Sequence, residues 1–268
     1  MNKLPHIASF WTGSQLGWIE QLCLRSFVLR GHKVTLFQLD PVKNVPDGVQ
    51  TRDARDIWDP DPRIIRETGA SFVADIFRLH LMKNTDMIWV DTDAYCLEPF
   101  HIDDAGYLIG HFHGRTEIAN GVMRVPRDSP ALEFLFGCLE DPTFVPPWLR
   151  PALRQRLEKI DPKDRLVQMY HIKRSVMGPK ALFHSLKKSG EIEHAKHERV
   201  LYPIPWQFCD ALFNPHGGVD DWIGNDTISM HFYSSQVRRI HRNNPPDPDS
   251  YAGKLVAHDL GDAGQVGK

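Results

Sequence analysis

The sequence predicts an α/β fold built on a sheet with parallel strands, and two stretches carry this prediction. At the N-terminus, residues 7–11 form a predicted strand, residues 15–29 a helix and residues 33–39 a second strand. Strand, helix and strand in this order make a right-handed unit with parallel strands. Farther along, residues 71–81 repeat apolar side chains at helical spacing, and residues 87–90 form a continuous apolar run, typical of a strand covered on both faces.

Composition and charge limit the classes of protein to which the chain can belong. The chain has 268 residues, of which 41% are hydrophobic and 25% charged, and these are ordinary globular values. A net charge of −2 gives no reason to expect a nucleic-acid partner. The four cysteines are widely scattered, so we expect reduced core thiols. Without a recognisable signal peptide or an apolar run long enough to span a bilayer, the sequence predicts a cytoplasmic protein.

One domain is predicted for residues 1–242, followed by a flexible tail at 243–268 that is rich in Pro, Asp and Gly. Residues 142–174 differ from their surroundings because they are first Pro-rich and then basic, and we interpret them as a helical insertion or lid. Such a basic run is usually a solvated helical face. The alternative is a surface for an anionic lipid or an acidic glycan. Residues 200–204 are predicted to form an edge strand.

Two carboxylates follow the central apolar strand, Asp91 and Asp93, with Thr92 between them. At this spacing, on an opening turn, both can converge on one hard cation such as Mg²⁺ or Mn²⁺, which prefer oxygen ligands. The preceding helix adds Asp75 and Arg78, which lie three residues apart and therefore on one face. If that face reaches the same edge, it could hold a nucleotide diphosphate. The alternatives are that Asp91 and Asp93 belong to an ordinary strand end, and that Asp75 and Arg78 form a surface salt bridge of little energetic value.

Other candidate contacts lie at strand ends. The loop after the first strand falls at the carboxyl edge of the sheet, where open α/β proteins bind ligands, so Phe10, Trp11 and Thr12 are predicted to contact a base or ribose. A core position for Trp11 is the alternative. Asn120, beside a glycine, could hydrogen-bond a sugar hydroxyl or simply form a turn, and His231 lies on a short strand where a core histidine is the common outcome.

Four blocks resemble motifs of the glycosyltransferases that carry an Asp-x-Asp motif, in the same order. They are ADIFRLHLMKNTDMIWVDTDAYCLEPF, similar to SDxxRYxxLxxxGGIYLDxDV; IANGVMRVPRDSPAL, similar to NxxxxAxxxHP; VMGPKAL, similar to a TGP turn; and SMHFYSSQ, similar to a C-terminal block with His and a final SW. The nearest group is glycosyltransferase family 32 and its relatives, which include fungal α-mannosyltransferases and capsular-polysaccharide transferases. This chain departs from the pattern in two places: Asn84-Thr85-Asp86 stands in place of Gly-Gly, and Gln236 or an adjacent residue stands in place of the final Trp.

The resemblance implies a GT-A fold, which is Rossmann-like with a mixed central sheet, here with a helical insertion. It implies a hexosyltransferase that depends on Mn²⁺ or Mg²⁺ and retains the anomeric configuration. The donor would be a UDP- or GDP-sugar and the acceptor a glycan or glycolipid in surface polysaccharide synthesis. With such an acceptor, the protein could contact the inner face of the membrane peripherally.

The resemblance also implies roles for single residues. Asp93 would bind the metal directly, Asp91 would hold the metal or the ribose, and His231 would be a further metal or phosphate contact. Arg78 would neutralise diphosphate charge and Asp75 would hold Arg78 or a sugar hydroxyl. The remaining expected contacts are Thr92, Ser234 and Ser235 to the nucleotide, and Asn120 at the reacting face.

Two other functions fit the same residues. A non-catalytic protein that binds a nucleotide sugar or a glycan would use Asp91, Asp93 and His231 in the same way. A phosphohydrolase of the haloacid dehalogenase type also places Asp-x-Asp after an apolar strand, where the first Asp is the nucleophile. In that class the motif normally follows the first strand, whereas here it lies deep in the chain and continues with Ala94 and Tyr95.

Overall fold

The computed structural model describes residues 3–112 and 117–261, and eight strands lie within them. They are β1 (Ile7–Trp11), β2 (Val34–Gln38), β3 (Val49–Asp53), β4 (Ile88–Val90), β5 (Ala94–Cys96), β6 (Leu108–Phe112), β7 (Glu117–Arg124) and β8 (Ser229–His231). Six of them form one sheet in the order β3-β2-β1-β4-β7-β6, and β5 pairs with β8 in a separate two-stranded sheet.

The large sheet is mixed. Strands β1 to β4 run parallel to one another, β7 is antiparallel to β4, and β6 is antiparallel to β7. The predicted parallel unit at the N-terminus is therefore present, and the prediction of an α/β fold with a mixed central sheet is confirmed. Strand β4 lies at the boundary of the parallel part of the sheet, because it is parallel to β1 on one side and antiparallel to β7 on the other.

Ten α-helices occur in the described residues. They are α1 (Trp18–Leu29), α2 (Pro62–Glu67), α3 (Ala70–Asn84), α4 (Pro130–Glu140), α5 (Pro151–Glu158), α6 (Pro162–Ile172), α7 (Pro179–Ser189), α8 (Glu198–Leu201), α9 (Ser234–His241) and α10 (Tyr251–Asp259). Local chemistry sets several ends. Ser129 accepts a hydrogen bond from Leu132 N at the start of α4, Pro179 opens α7, and Gly31 follows α1 at φ 86°.

Apolar side chains fill both faces of the sheet, because successive residues of a strand point to opposite faces. On one face Ala8 and Phe10 pack against α3, where Phe10 stacks on Phe77 with ring centroids 4.7 Å apart. On the other face Ile7 packs with Phe27 of α1. Helix α3 is consequently held over the strand that ends at Asp91.

The C-terminal region differs from the predicted flexible tail. Residues 251–259 form α10, which packs on α1, and residues 262–268 of that prediction lie outside the described residues. Asp259 is buried and pairs with Arg30 at 3.0 Å, while the Tyr95 hydroxyl donates to the same carboxylate at 2.5 Å. The tail composition concealed this helix because its anchors lie far away in the sequence.

Two other segments also differ from the sequence expectations. Residues 200–204 form no strand; the turn of helix α8 ends at Leu201, and β8 pairs with β5 instead. The expected insertion at 142–174 does form helices, α5 and α6, but Leu157 and Met169 are buried in the main core. Arg165 is buried too and donates to the Ile160 carbonyl at 2.9 Å, so this basic residue has a structural role.

The four cysteines are free and buried, which confirms the expectation of unpaired core thiols. Across residues 3–112 and 117–261, none of the helices has the length and apolar character required to span a bilayer.

Candidate metal centre

Asp91, Asp93 and His231 meet at the carboxyl end of β4. Asp91 follows β4 directly, and a tight turn, closed by a bond from Ala94 N to the Asp91 carbonyl at 3.0 Å, leads to Asp93 and β5. Antiparallel pairing of β5 with β8 sets Ala94 opposite His231, and Phe232 N donates to the Asp93 carbonyl at 2.9 Å. The small sheet thereby brings the histidine from far along the chain to the two carboxylates.

The ligand atoms of these three side chains lie within 4.8 Å of one another. His231 Nε2 is 3.3 Å from Asp93 Oδ1 and 3.6 Å from Asp91 Oδ2. Two carboxylate oxygens and an imidazole nitrogen form a donor set that suits Mn²⁺ and, through its oxygens, Mg²⁺. The residues present therefore fit a divalent cation.

Gly121 forms the wall beside this cluster. A Cβ at this position would lie 2.9 Å from His231 Nε2 and 3.1 Å from Asp91 Oδ2, so a side chain here would displace both groups. The Gly121 carbonyl accepts a hydrogen bond from Asp91 N at 2.6 Å, which holds the end of β4 against β7. The glycine thus leaves open the space beside His231 and Asp91.

Arg78 lies behind the carboxylates and is almost fully buried. Its Nη2 is 3.3 Å from Asp75 Oδ1 and 3.4 Å from Asp91 Oδ1, and its Nη1 donates to the Asn120 carbonyl at 2.5 Å. The guanidinium also lies over the Trp89 ring, 4.6 Å from the centroid. A buried cation held by this many partners is fixed in position before any ligand binds.

Asp75 forms the innermost part of the site. Asn120 Nδ2 donates to its Oδ1 at 3.0 Å, and a Cβ on Gly178 would come within 2.9 Å of its Oδ2. Burial raises the pKa of Asp75 to about 6; the Arg78 charge acts in the opposite direction, and the nearby Asp91 carboxylate reinforces the rise. Asp75 and Arg78, which the sequence proposed together, therefore form one buried network with Asn120, which it proposed separately.

The pKa values of the cluster reflect the competition between burial and neighbouring charge. Burial opposes ionisation of Asp91, but Arg78 and His231 outweigh it and hold the pKa of Asp91 below its ordinary value. Burial also favours neutral His231, but the Asp93 and Asp91 carboxylates outweigh it and raise the pKa of His231. Trp89 Nε1 donates to Asp91 Oδ1 at 2.9 Å and further supports the charged carboxylate.

The orientation of His231 is set by Tyr233, whose backbone is left-handed at φ 53°. The Tyr233 N–H donates to His231 Nδ1 at 3.1 Å, and the two rings stack at 4.7 Å. Nδ1 is thus an acceptor and Nε2, which faces the carboxylates, carries the ring proton. A bond from Nε2 to a cation requires that proton to move to Nδ1, at the expense of this hydrogen bond.

The remaining predicted contacts divide into two groups. Ser234 N donates to Asp93 Oδ2 at 2.7 Å at the first turn of α9, with Ser235 exposed beside it, and Thr92 is half-buried between the carboxylates. Phe10, by contrast, is a core residue stacked on Phe77, which corrects its assignment as a nucleotide contact.

Trp11 and Thr12 remain accessible at the end of β1. Trp11 is half-buried, and its Nε1 donates to the Gln15 carbonyl at 3.1 Å, while Thr12 is exposed. Sequence reasoning missed Gly178 and Tyr233, which shape the site through packing and backbone conformation. It placed Trp89 only in the core, although the indole N–H reaches Asp91.

No family model matches the chain, and no curated protein matches it. Among solved structures, the PaToxG glycosyltransferase has 12% identity over 94% of this chain and 87% of its own, with a TM-score of 0.46. Mouse xyloside xylosyltransferase 1 in its apo form has 12% identity over 87% of this chain and 98% of its own, with a TM-score of 0.42. The resemblance to glycosyltransferase family 32 remains a prediction.

Proposed function

We propose that this chain is a metal-dependent glycosyltransferase that takes its sugar from a nucleotide-sugar donor. The convergence of Asp91, Asp93 and His231 within 4.8 Å, backed by buried Arg78, is the observation that carries the proposal. The cluster lies at the carboxyl end of the last parallel strand, at the edge where open α/β sheets bind ligands. The motif order of the sequence supplies the reaction class.

Asp91 and Asp93 would hold Mn²⁺ or Mg²⁺, with His231 as the third protein contact. When bound, such a cation acts as a Lewis acid that offsets the charge of a departing diphosphate. Asp93 is held by Ser234 N and Asp91 by Trp89 Nε1, so the two carboxylates keep their positions without the cation. The two carboxylates therefore need little rearrangement, whereas His231 must move its ring proton to Nδ1 before Nε2 can join them.

Arg78 supplies a permanent positive charge behind the diphosphate position. Two carboxylates, Asp75 and Asp91, and the Asn120 carbonyl orient the guanidinium, so it cannot turn away from the site. On the other side, Ser235 and the Ser234 hydroxyl, in the first turn of α9, would donate to phosphate oxygens. A helix N-terminus favours negative charge.

The donor would lie between these groups and the end of β1. In this arrangement Trp11, Thr12 and Thr92 contact the nucleoside of a UDP- or GDP-sugar. Asn120, fixed to Asp75 by its amide, faces the sugar, and we propose that a hexosyl group is transferred with retention of configuration. Asp91 is poorly placed as a phosphohydrolase nucleophile because Trp89 and Arg78 already engage its Oδ1 and His231 faces its Oδ2.

The acceptor would be a glycan or glycolipid in surface polysaccharide synthesis. The enzyme itself would be cytoplasmic and in peripheral contact with the membrane. The exposed basic residues Arg150, Arg156 and Lys159 of the 142–174 segment support this part of the proposal. Anionic lipids attract such residues, each contributing about 1 kcal/mol. Flotation with phosphatidylglycerol vesicles at low and high salt tests it, and no co-flotation at low salt would contradict it.

The metal and donor assignment is tested by thermal unfolding with UDP and with GDP, each with and without Mn²⁺. A ligand that binds the folded state stabilises it by about 2.7 kcal/mol at a hundredfold excess over its Kd. We expect a rise in Tm that needs both Mn²⁺ and one of the nucleotides. Asp93→Asn should abolish the rise, and the exposed Asp86→Asn at the other end of β4 should keep it.

Two further results would change the assignment. No rise in Tm with either nucleotide would remove the proposed donor site. A metal-dependent rise, without donor hydrolysis or sugar transfer during long incubation with UDP- and GDP-hexoses, would identify a non-catalytic nucleotide-sugar-binding protein of the same fold.

A further inference from the structure

A second pocket lies between the 3₁₀-helix Trp206–Phe213 and α9, outside the cluster at Asp91. It has a volume of about 290 Å³ and is lined by Asp210, Ala211, Phe213, Asn214 and His241. Its volume lies just below the range for small-molecule sites, which begins at about 300 Å³. The proposed metal and donor chemistry does not use any of these residues.

A carboxylate and an imidazole form the polar part of this pocket. His241 Nε2 contacts the Asp210 carboxylate, and the His241 ring stacks on Phe213 with centroids 4.2 Å apart. The Asp210 side chain is 60% exposed, so it can accept hydrogen bonds from a ligand while it keeps its histidine. An anionic ligand would meet the negative Asp210 carboxylate, which favours a neutral hydroxylated ligand.

Aromatic side chains form the apolar part. In a 3₁₀-helix every third residue lies on one ridge, so Phe208 shares a ridge with Ala211, which lines the pocket. Phe208 is 56% exposed, and its ring packs on Trp222 at 5.7 Å. Among the described residues, three of the five prominently exposed large hydrophobics lie on this 3₁₀-helix and α9: Trp206, Phe208 and Ile240.

We infer that this pocket binds a neutral sugar residue of a glycan. A pyranose ring offers a C–H-rich face that packs on an aromatic ring, and hydroxyls that hydrogen-bond carboxylate and imidazole groups. Phe208 supplies the first kind of surface, and Asp210 with His241 the second.

The position of the pocket assigns it to the acceptor, and this step rests on the proposed glycosyltransferase function. Helix α9 starts at Ser234, whose N–H holds Asp93, and ends at His241 in the pocket. Its eight residues rise about 1.5 Å each, which places the pocket on the order of 10 Å from the metal cluster. An acceptor chain with its reacting end at the cluster would reach the pocket with a sugar farther along.

The experiment measures binding of neutral pentasaccharides of glucose, mannose, galactose, xylose and N-acetylglucosamine to the metal-free, nucleotide-free protein by saturation-transfer NMR. We expect at least one to bind with a Kd on the order of 1 mM. Phe208→Ala and Asp210→Asn should each weaken that binding about three- to tenfold. Leu29→Ala, at an exposed apolar position on α1, and Asp226→Asn, an exposed ion-paired aspartate, are the matched controls and should bind normally.

Binding by none of the five pentasaccharides would overturn the inference, as would binding that all four variants retain. Because metal and nucleotide are omitted, failure of the donor site leaves this result unaffected. Conversely, a normal rise in Tm with Mn²⁺ and nucleotide, without glycan binding, would refute only this pocket.

Discussion

The candidate site has two halves that are held in different ways. One half, Asp75 and Arg78 from α3, is buried, with side chains only 8% and 6% exposed, and is connected through Asn120. In the other half, His231 ends a three-residue strand with its side chain 11% exposed, and Ser234 follows that strand and is half-buried. The packed core therefore fixes the permanent charge, while short elements place the groups that would meet cation and phosphate.

Long-range packing compensates for the short strands of the second half. Tyr95, on β5 beside Asp91 and Asp93, donates its hydroxyl to buried Asp259 at the end of α10, and Arg30, just after α1, completes the group. Apolar residues of α1, β8 and α10 surround this contact. The second half thus depends on the C-terminal helix, whereas the first half depends on α3 and the sheet.

We expect the largest loss of stability from Arg78→Ala, which removes the central residue of the buried half. Asp75 and Asp91 would lose their cationic partner inside the protein, and an uncompensated buried charge typically costs about 3–5 kcal/mol. Urea unfolding at pH 7 measures the free energy of unfolding. Arg238→Ala, at the half-exposed partner of Glu20, provides a contrast from the second half.

We expect Arg238→Ala to be the milder change. It deprives one buried carboxylate of its cation, that of Glu20, which keeps the hydrogen bond from Gly17 N, whereas Arg78→Ala deprives two. If the two variants lose equal stability, or Arg78→Ala loses less than about 1 kcal/mol, the buried half does not fix the site as described.

Local patterns in the sequence were sufficient to predict the first half. The apolar spacing of α3, the apolar run of β4 and the adjacent Asp91 and Asp93 all lie within one short stretch, so spacing alone placed them. Phe10 was misassigned because adjacent strand residues point to opposite faces, and its side chain points into the core.

The second half could not be derived from local pattern. His231 is brought to the carboxylates by the pairing of β5 with β8, and only the family resemblance indicated it beforehand. The packing of α10 was missed because its buried anchors, Arg30 and Tyr95, are remote in sequence from Asp259. The neighbours of Gly121, His231 and Asp91, could be identified only in three dimensions.

Within the first half, α3 carries two groups with opposite pH responses. Burial raises the pKa of Asp75 from 3.8 to about 6 and lowers the pKa of His80 from 6.5 to about 4. Between about pH 4 and 6 the folded state keeps the Asp75 proton that the unfolded state loses, so this group costs stability as pH rises. Below pH 6.5 the unfolded state protonates His80 while the folded state does not, so stability is lost as pH falls.

Each contribution amounts to about 3 kcal/mol across its window. Relative to the wild type, Asp75→Asn should therefore gain stability as pH rises from 4 to 6, and His80→Gln should gain stability as pH falls from 6.5 to 4. Urea unfolding of the three proteins at intervals between pH 4 and 7 measures both trends. Curves that stay parallel over this range would contradict the buried states assigned to these side chains.

The two halves meet at Gly121. A substitution there should have the smallest effect on stability and the sharpest effect on binding of Mn²⁺ and nucleotide. In Gly121→Ala the new Cβ would lie 2.9 Å from His231 Nε2 and 3.1 Å from Asp91 Oδ2, so one of these groups must move. Overpacking of this kind costs about 1–3 kcal/mol, and the displaced ligands should remove the Mn²⁺-dependent rise in Tm with nucleotide.

Gly137→Ala is the matched control, because Gly137 lies inside α4 and nothing is within 4 Å of its Cβ position. Alanine favours a helix over glycine by about 0.5–1 kcal/mol, so this variant should be slightly more stable and bind normally. If Gly121→Ala keeps the full metal-dependent rise in Tm, Asp91 and His231 do not hold one cation together. The two halves would then be independent features of the same sheet edge.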